Sequence, residues 1–373
     1  MIVAKKKTTS GHASSAANDS GGAQEHRAST STVLNVSSHV ARPGAAPALF
    51  IVLVCIVMGV ASPGFTSLNG WYFMVNESVF IILIAVGMTV VLIVGGIDLS
   101  VGSGMAVAAA LSGQLLLDGV PMALVFVIVL LVGVAVGLVN GLLITYVGIP
   151  DFIATLAMLT ALRGVLLIWT QGNPVLGYVT HAYGVIGGST KIAPYLTVPM
   201  LLTLAVAIAG SVLLRYTVLG RHIHAVGGDG DAAVLMGVRA KRVKIACYVI
   251  SGVLAALSGI LLAGYLSQVS PGTTASGYEL MAVAAAVLGG ASLSGGRGSV
   301  FGACLGAIAL TVITNLLSWW NVNPNWSDVL VGVLILLAAL LQRAGVIVAT
   351  RGGQTKRPRL ADPQPVTRAP QSV

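Results

Sequence analysis

Residues 95–104 read Gly-Gly-Ile-Asp-Leu-Ser-Val-Gly-Ser-Gly. The stretch lies between two apolar runs and carries Asp98, one of the few carboxylates inside the apolar part of the chain. It has an echo. Residues 289–303, GGASLSGGRGSVFGA, lie over residues 95–109, GGIDLSVGSGMAVAA, at an offset of 194. Seven of fifteen positions match: Gly95/Gly289, Gly96/Gly290, Leu99/Leu293, Ser100/Ser294, Gly102/Gly296, Gly104/Gly298 and Ala109/Ala303. Four of the seven are glycine in a chain with 46 glycines, which lowers the weight of the match. A second echo follows each copy. Asn140-Gly-Leu-Leu leads to Pro150 and Phe152, and Asn315-Leu-Leu leads to Pro324 and Trp326. Two echoes in the same order point to an internal duplication rather than two unrelated glycine-rich turns. In membrane transporters such repeats meet at broken helices near the substrate path.

Composition sets the class. Of 373 residues, 56% are hydrophobic and 8% are charged, against about 25% charged in a soluble domain. So few charges cannot cover a water-facing surface of this size. The apolar runs reach the ~20 residues that span a bilayer core, and the ~10-residue alternation of a membrane barrel is missing. The chain reads as an all-α polytopic membrane protein. Ten segments are expected, at 46–62, 78–95, 99–117, 122–147, 151–171, 196–214, 244–267, 279–293, 298–318 and 327–342. Flanking them, residues 1–45 and 344–373 read as disordered cytoplasmic tails, the second one basic.

Charge placement orients the segments. The net charge of +9 does not point to nucleic acid, because of 20 Lys and Arg, five lie in 1–45, six in 215–244 and six in 343–373. Three basic segments between apolar runs are what cytoplasmic loops look like. With 1–45 inside, six crossings return the chain to the cytoplasm at 215–243, and four more return Arg343, Arg351, Lys356, Arg357 and Arg359. Lys191 is the one basic residue left in an outside loop. Five segments per repeat, over 46–171 and 196–342, make the halves inverted relative to each other.

The 215–243 loop contains more than solvated charge. Gly227-Gly228 is a turn, and Asp229 or Asp231 can cap a short helix through Ala232, Ala233, Val234, Leu235 and Met236 that ends at Gly237. Exposed apolar residues on a cytoplasmic helix suit docking to a soluble protein. The outside loop 172–195 is long enough to meet an external partner, and serves equally well as a plain connector.

No enzyme constellation stands out. A phosphate-binding Gly-Lys-Ser/Thr loop is missing, His222 and His224 sit in a basic loop, and Cys55, Cys247 and Cys304 lack metal-ligand spacing. No cofactor or metal is expected on this chain. Glu77, Asp98, Asp151, Arg163, Glu279 and Asp328 lie within or at the ends of apolar segments, where ionisable groups face a cavity or a partner. Asp98 can cap a helix starting at Leu99 as readily as contact a substrate, Arg163 is expected to pair with a carboxylate or with backbone carbonyls inside the bundle, and Glu279 to sit at a helix start. Ser100, Ser103, Asn140, Thr155, Ser292 and Asn315 offer neutral hydrogen bonds to a small polar solute, or equally between helices. With Asp98 and the aromatic Phe152 they form the candidate substrate path.

Four stretches in order carry a resemblance. VGMTVVLIVGGIDLSVGS (86–103), NGLLITYVGIPDFIATLAML (140–159), TVLGRHIHAVGGDGDAAVLMGV (217–238) and GYELMAVAAAVLGGASLSGGRGSVFGACLGA (277–307) resemble the membrane permease of bacterial ribose, xylose and arabinose type ABC importers. The resemblance runs from about residue 48 to 343. It implies a pore of two permease subunits in the cytoplasmic membrane, a cytoplasmic ATPase pair that binds the ATP, and an extracytoplasmic sugar-binding protein. It also implies that Gly227, Gly228, Asp229, Asp231, Ala232, Leu235 and Gly237 belong to the ATPase-contacting segment. Two positions depart from the usual pattern: Gly230 stands where Glu is commoner, and Met281 where Asp often follows Gly-Tyr-Glu-Leu. Autoinducer-2 and rhamnose importers share much of the pattern. The competing expectation is an ion-coupled secondary transporter that works alone.

Overall fold

The computed structural model describes residues 67–320 without a break, and beyond them Val52, 322–323, 325–336 and Leu340. The expected span 46–62, Val52 apart, lies outside the described residues, as do the tails 1–45 and 344–373. In chain order the helices are α1 (Leu68–Ile93), α2 (Val101–Leu117), α3 (Met122–Leu142), α4 (Asp151–Thr170), α5 (His181–Gly187), α6 (Val198–Tyr216), α7 (Val218–Gly228), α8 (Gly230–Leu235), α9 (Ala240–Leu266), α10 (Tyr278–Leu288), α11 (Val300–Trp319) and α12 (Trp326–Leu336). A π-helical turn, Leu143–Val147, extends α3 and ends at Gly148. Strands β1 (Val175–Leu176) and β2 (Gln268–Val269) pair antiparallel.

Among the described residues six helices are long and apolar enough to cross a membrane: α1, α3 with its π turn, α4, α6, α9 and α11. Helices α2, α10 and α12 are apolar but shorter. The chain is a multi-pass helical membrane protein. Most expected segments differ from the observed helices by a few residues, and α1 is the exception. It starts ten residues before the expected Ser78. The apolar pattern breaks at Asn76 and Glu77, but both are accommodated inside the helix. Asn76 Oδ1 accepts from Thr197 Oγ1 at 2.7 Å, and Glu77 accepts from Asn315 Nδ2 at 2.7 Å. A polar group whose bonding is satisfied does not end a helix in a bundle.

A helix that is apolar on every side must be sunk in the core or face lipid. Of the most apolar window of α1, 94% is buried, against 17% in α4 and in α6. Helix α1 is therefore the centre and α4 and α6 form the outer wall. Helix α9 packs along α1 in the opposite direction. Ser258 Oγ donates to Phe80 O at 2.9 Å, Ser251 lies against Gly87, and the Tyr248 hydroxyl donates to Ile97 O at 3.4 Å. The other side of α9 meets α3 where Gly133 and Gly137 face Gly252 so closely that added methyl groups would overlap the opposite backbone. Small residues at a crossing allow this approach.

Each central helix ends in a nonhelical stretch, 94–100 after α1 and 267–277 after α9. The first lies at the end where Ile93 meets Gly227. The second lies at the other end, where β2 pairs with β1 of the α4–α6 connection. The glycine-rich echo is arranged differently. Gly296 N donates to Ile93 O at 2.8 Å, so the 94–100 and 289–299 turns touch at one end of the bundle. Inverted equivalents would lie at opposite ends. The echo therefore marks two hairpins of like direction, α1–α2 and α10–α11. The antiparallel relation falls between α1–α2 and α9–α10.

Candidate functional site

The 94–100 stretch turns back into the bundle. Its Asp98 carboxylate lies beside Ser251, which packs on Gly87. Gly87 is six residues before the end of α1, or roughly 9 Å along the axis. Asp98 is fully buried, and its Oδ1 accepts from Ser100 Oγ at 2.6 Å and from Ser100 N at 3.1 Å. Asn140 Nδ2 of α3 donates to Ser100 Oγ at 2.8 Å. On the outer side, the neighbouring peptide is held by α4. Asp151 Oδ2 accepts from Ile97 N at 2.8 Å, and Thr155 Oγ1 donates to Ile97 O at 3.3 Å. Five polar side chains from the turn, α3 and α4 thus fix one strand of nonhelical backbone, as buried backbone requires.

The expected cap is corrected here. Helix α2 begins at Val101, its N-cap is Ser100, and no side chain caps it. Asp98 instead makes a tight turn onto Ser100 N before the helix starts. Among the described residues its Oδ2 has no hydrogen-bond partner, and neither have Ser251 Oγ, Asn140 Oδ1 and Ser103 Oγ, all of them buried.

The second stretch is held by a cation. Arg163 of α4 donates through one terminal nitrogen to Pro271 O and Thr274 O, each at 2.9 Å. This is the pairing with backbone carbonyls expected of it. Glu279, in the first turn of α10 as expected, is in electrostatic contact with Arg163. It also reaches α2: a methyl group on Gly102 would overlap Glu279 Oε2 and come within 3.1 Å of Ala275 O. The starts of α2 and α10 therefore face each other, two broken-helix N-termini, each with a carboxylate near it.

The basic loop supplies the outward face of the site. Helix α7 ends in Gly227-Gly228, wedged between the two echo turns. A methyl group on Gly227 would overlap Ile93 O and lie 2.8 Å from Gly296 N. Asp229 then caps α8, its Oδ1 accepting from Asp231 N at 3.1 Å and Ala232 N at 3.0 Å. Gly237, at φ +84°, takes the left-handed conformation that ends the turn. Ala233 is buried, whereas Leu235 is 87% and Met236 85% exposed. The sequence-based helix, cap and stop all hold.

Not every candidate path residue joins this centre. Asp98, Ser100, Asn140 and Thr155 converge on the 94–100 turn, and Ser103 lies one turn along α2 from Ser100. Phe152 is 51% exposed on α4. Ser292 belongs to the second echo turn, where its Oγ accepts from Ser294 N at 3.2 Å. Asn315 pairs with Glu77 on the far half of α1. Sequence reasoning missed Ser251 and Tyr248. Their signal was the small-residue pattern of α9, Ser251-Gly252 and Ser258-Gly259, which marks a face for close helix contact. His224 Nδ1 lies 2.9 Å from Gly220 O. Among the described residues no group of His, Cys, Asp and Glu is placed to hold a metal ion.

The profile of the family described as branched-chain amino acid transport system / permease component matches residues 72–339. A ribose import permease protein of Bacillus subtilis is 36% identical over 298 residues, covering 80% of this chain and 92% of its own. A fructose import permease protein of Bifidobacterium longum is 35% identical over 319 residues, 83% of this chain and 92% of its own. An autoinducer 2 import system permease protein of Yersinia enterocolitica is 34% identical over 288 residues, 77% of this chain and 79% of its own. No solved structure matches the chain.

Proposed function

The chain belongs to the family of transport-system permease components, and from that premise we propose that it is the membrane-spanning subunit of an ATP-driven importer for a monosaccharide of ribose type or a similar small polar solute. ATP is bound and hydrolysed by separate cytoplasmic ATPase subunits, and an extracytoplasmic binding protein delivers the solute. A second permease subunit, identical or related, completes the pore.

One observation carries this reading. Helix α8 presents Val234, Leu235 and Met236 outward while its base, Gly227-Gly228, is wedged between the ends of two hairpins. Apolar side chains this exposed on a polar loop suit a protein partner. A push on α8 passes through Gly227 to both turns at once. The hairpins α1–α2 and α10–α11 move with it, and the pore opens alternately to either side. The proposed topology has ten crossings with both termini in the cytoplasm. Its support is the placement of basic residues and the antiparallel pairing of α1 with α9.

Co-purification from the native membrane under mild detergent tests the reading. An ATPase and a soluble sugar-binding protein in the eluate are expected. Uptake by vesicles that hold this chain and lack any ATPase would replace the importer with an ion-coupled carrier.

A further inference from the structure

Among the described residues Asp98 is buried without a counter-charge. Its Oδ1 is fully used by Ser100, and its Oδ2 has no hydrogen-bond partner. Ser251 Oγ lies beside the carboxylate, and Asn140 Oδ1 belongs to the amide that bonds Ser100. Both are buried and unpartnered, as is Ser103 Oγ on the adjoining turn of α2. The amide orientation follows from the bonding. Ser100 gives its one hydroxyl hydrogen to Asp98, so it can only accept from Asn140, whose Nδ2 must face it.

The packed elements bring no positive charge to this point. Helix α3 contributes Asn140, and α9 contributes Ser251 and Tyr248, whose hydroxyl is spent on Ile97 O. Helix α4 contributes Asp151, a second carboxylate, which is spent on Ile97 N. At the matching stretch before α10, Glu279 Oε2 is likewise without a hydrogen-bond partner among the described residues, but there the Arg163 guanidinium is in electrostatic contact with the carboxylate. A buried carboxylate with neither a cation nor a full set of donors is costly, and with the Asn140 amide oxygen it leaves two acceptors at one turn without a donor.

We propose that the Asp98 turn is a binding site for one exchangeable monovalent cation, an alkali ion of Na+ size or a proton, held on Asp98 Oδ2 among the oxygens of Asn140, Ser251 and Ser103. One unbalanced buried charge calls for one positive charge, and an all-oxygen set suits a hard ion. The occupant closes α1, α3 and α9 around the turn and takes the place that Arg163 fills at the other break. The site is a property of this chain alone and does not depend on which solute is carried.

The test is thermal unfolding of the purified full-length permease in detergent, in NaCl and in choline chloride at equal ionic strength, from about pH 5.5 to 8.5. If the occupant is Na+, Tm climbs in NaCl by roughly 2–5 °C per tenfold rise above half-saturation and stays flat in choline chloride. If it is a proton, the folded state binds more protons than the unfolded one, so Tm falls as pH rises, in either salt. In both cases Asp98→Asn, which keeps the Oδ1 acceptor and removes the charge, loses the response, while Asp118→Asn on the surface keeps it. Should Asp98→Asn fail to fold, Ser251→Ala reads the same site, with a several-fold weaker Na+ response or a displaced pH midpoint. Wild type, Asp98→Asn and Ser251→Ala that respond alike to Na+ and pH would overturn the proposal. Vesicle uptake decides separately between importer and lone carrier, so the two readings fail independently.

Discussion

Between α1 and α2 the helix breaks for seven residues around a fully buried Asp98, and between α9 and α10 it breaks for eleven and resumes at Tyr278, just before a half-buried Glu279. Both breaks leave polar backbone inside an apolar bundle, and both are held by α4. The means differ. At the first break α4 uses Asp151 and Thr155 on the two sides of the Ile97 peptide. At the second it uses the Arg163 guanidinium on two carbonyls. One break is therefore supplied with a permanent cation beside its carboxylate, and the other is not. The guanidinium ties the second break to α4 through two backbone carbonyls. The first holds its carboxylate among neutral oxygens, where the balance of charge can change.

The contrast can be broken most severely at Arg163. Arg163→Gln leaves Pro271 O and Thr274 O without their charged donor and Glu279 without its cation, and about 3–5 kcal/mol of stability should be lost. Chemical unfolding of the detergent-solubilised protein measures this. Adding Glu279→Gln should return part of it, which a double-mutant cycle reads directly. A cycle with no coupling would show that Arg163 serves only the carbonyls.

The joint between the breaks and the basic loop comes next. Gly227→Ala places a methyl group on the Ile93 carbonyl, between turns that have no slack. A loss of about 1–3 kcal/mol is expected, with ATP-driven transport reduced further than the folded fraction explains. Asp229→Ala removes the cap of α8 alone and should cost about 1 kcal/mol, seen as faster amide exchange over 230–236 with the bundle unchanged. The smallest effect on stability is at Leu235. It is 87% exposed, so Leu235→Arg should move stability by less than about 0.5 kcal/mol. Its consequence is in coupling: purified complexes carrying it, or Asp231→Arg, should hydrolyse ATP without importing solute. Full coupled transport would remove α8 from the docking role.

Local features were legible in the sequence because they depend on neighbours along the chain. The α8 cap needs only Asp229 and the next three amides, and its stop needs only Gly237. Apolar length predicted the long helices for the same reason. Asp98 was recognised as costly from its surroundings, but it does not cap α2. Capping α2 from position 98 assumed a helix starting at Leu99, and the turn onto Ser100 delays the start to Val101. Helix α1 starts ten residues before the expected Ser78 because Asn76 and Glu77 find partners at 188, 197 and 315, far along the chain.

The echo shows where sequence reading stops. Similar residues at 95–104 and 289–298 reveal that two turns are alike, and give no direction to the helices leading into them. Composition and the order of charged loops determined that this is a helical membrane protein, because transfer of a segment between water and lipid depends on that segment's own residues. The cap and the stop of α8 were determined in the same way. The tertiary structure alone decided that the two turns touch through Gly296 and Ile93, that Ser251 faces Asp98, and that Arg163 stands at one break and not at the other. These contacts join residues more than a hundred positions apart. They exist because antiparallel packing of α1 and α9 brings opposite ends of the chain to one depth, and no local pattern of side chains encodes that depth.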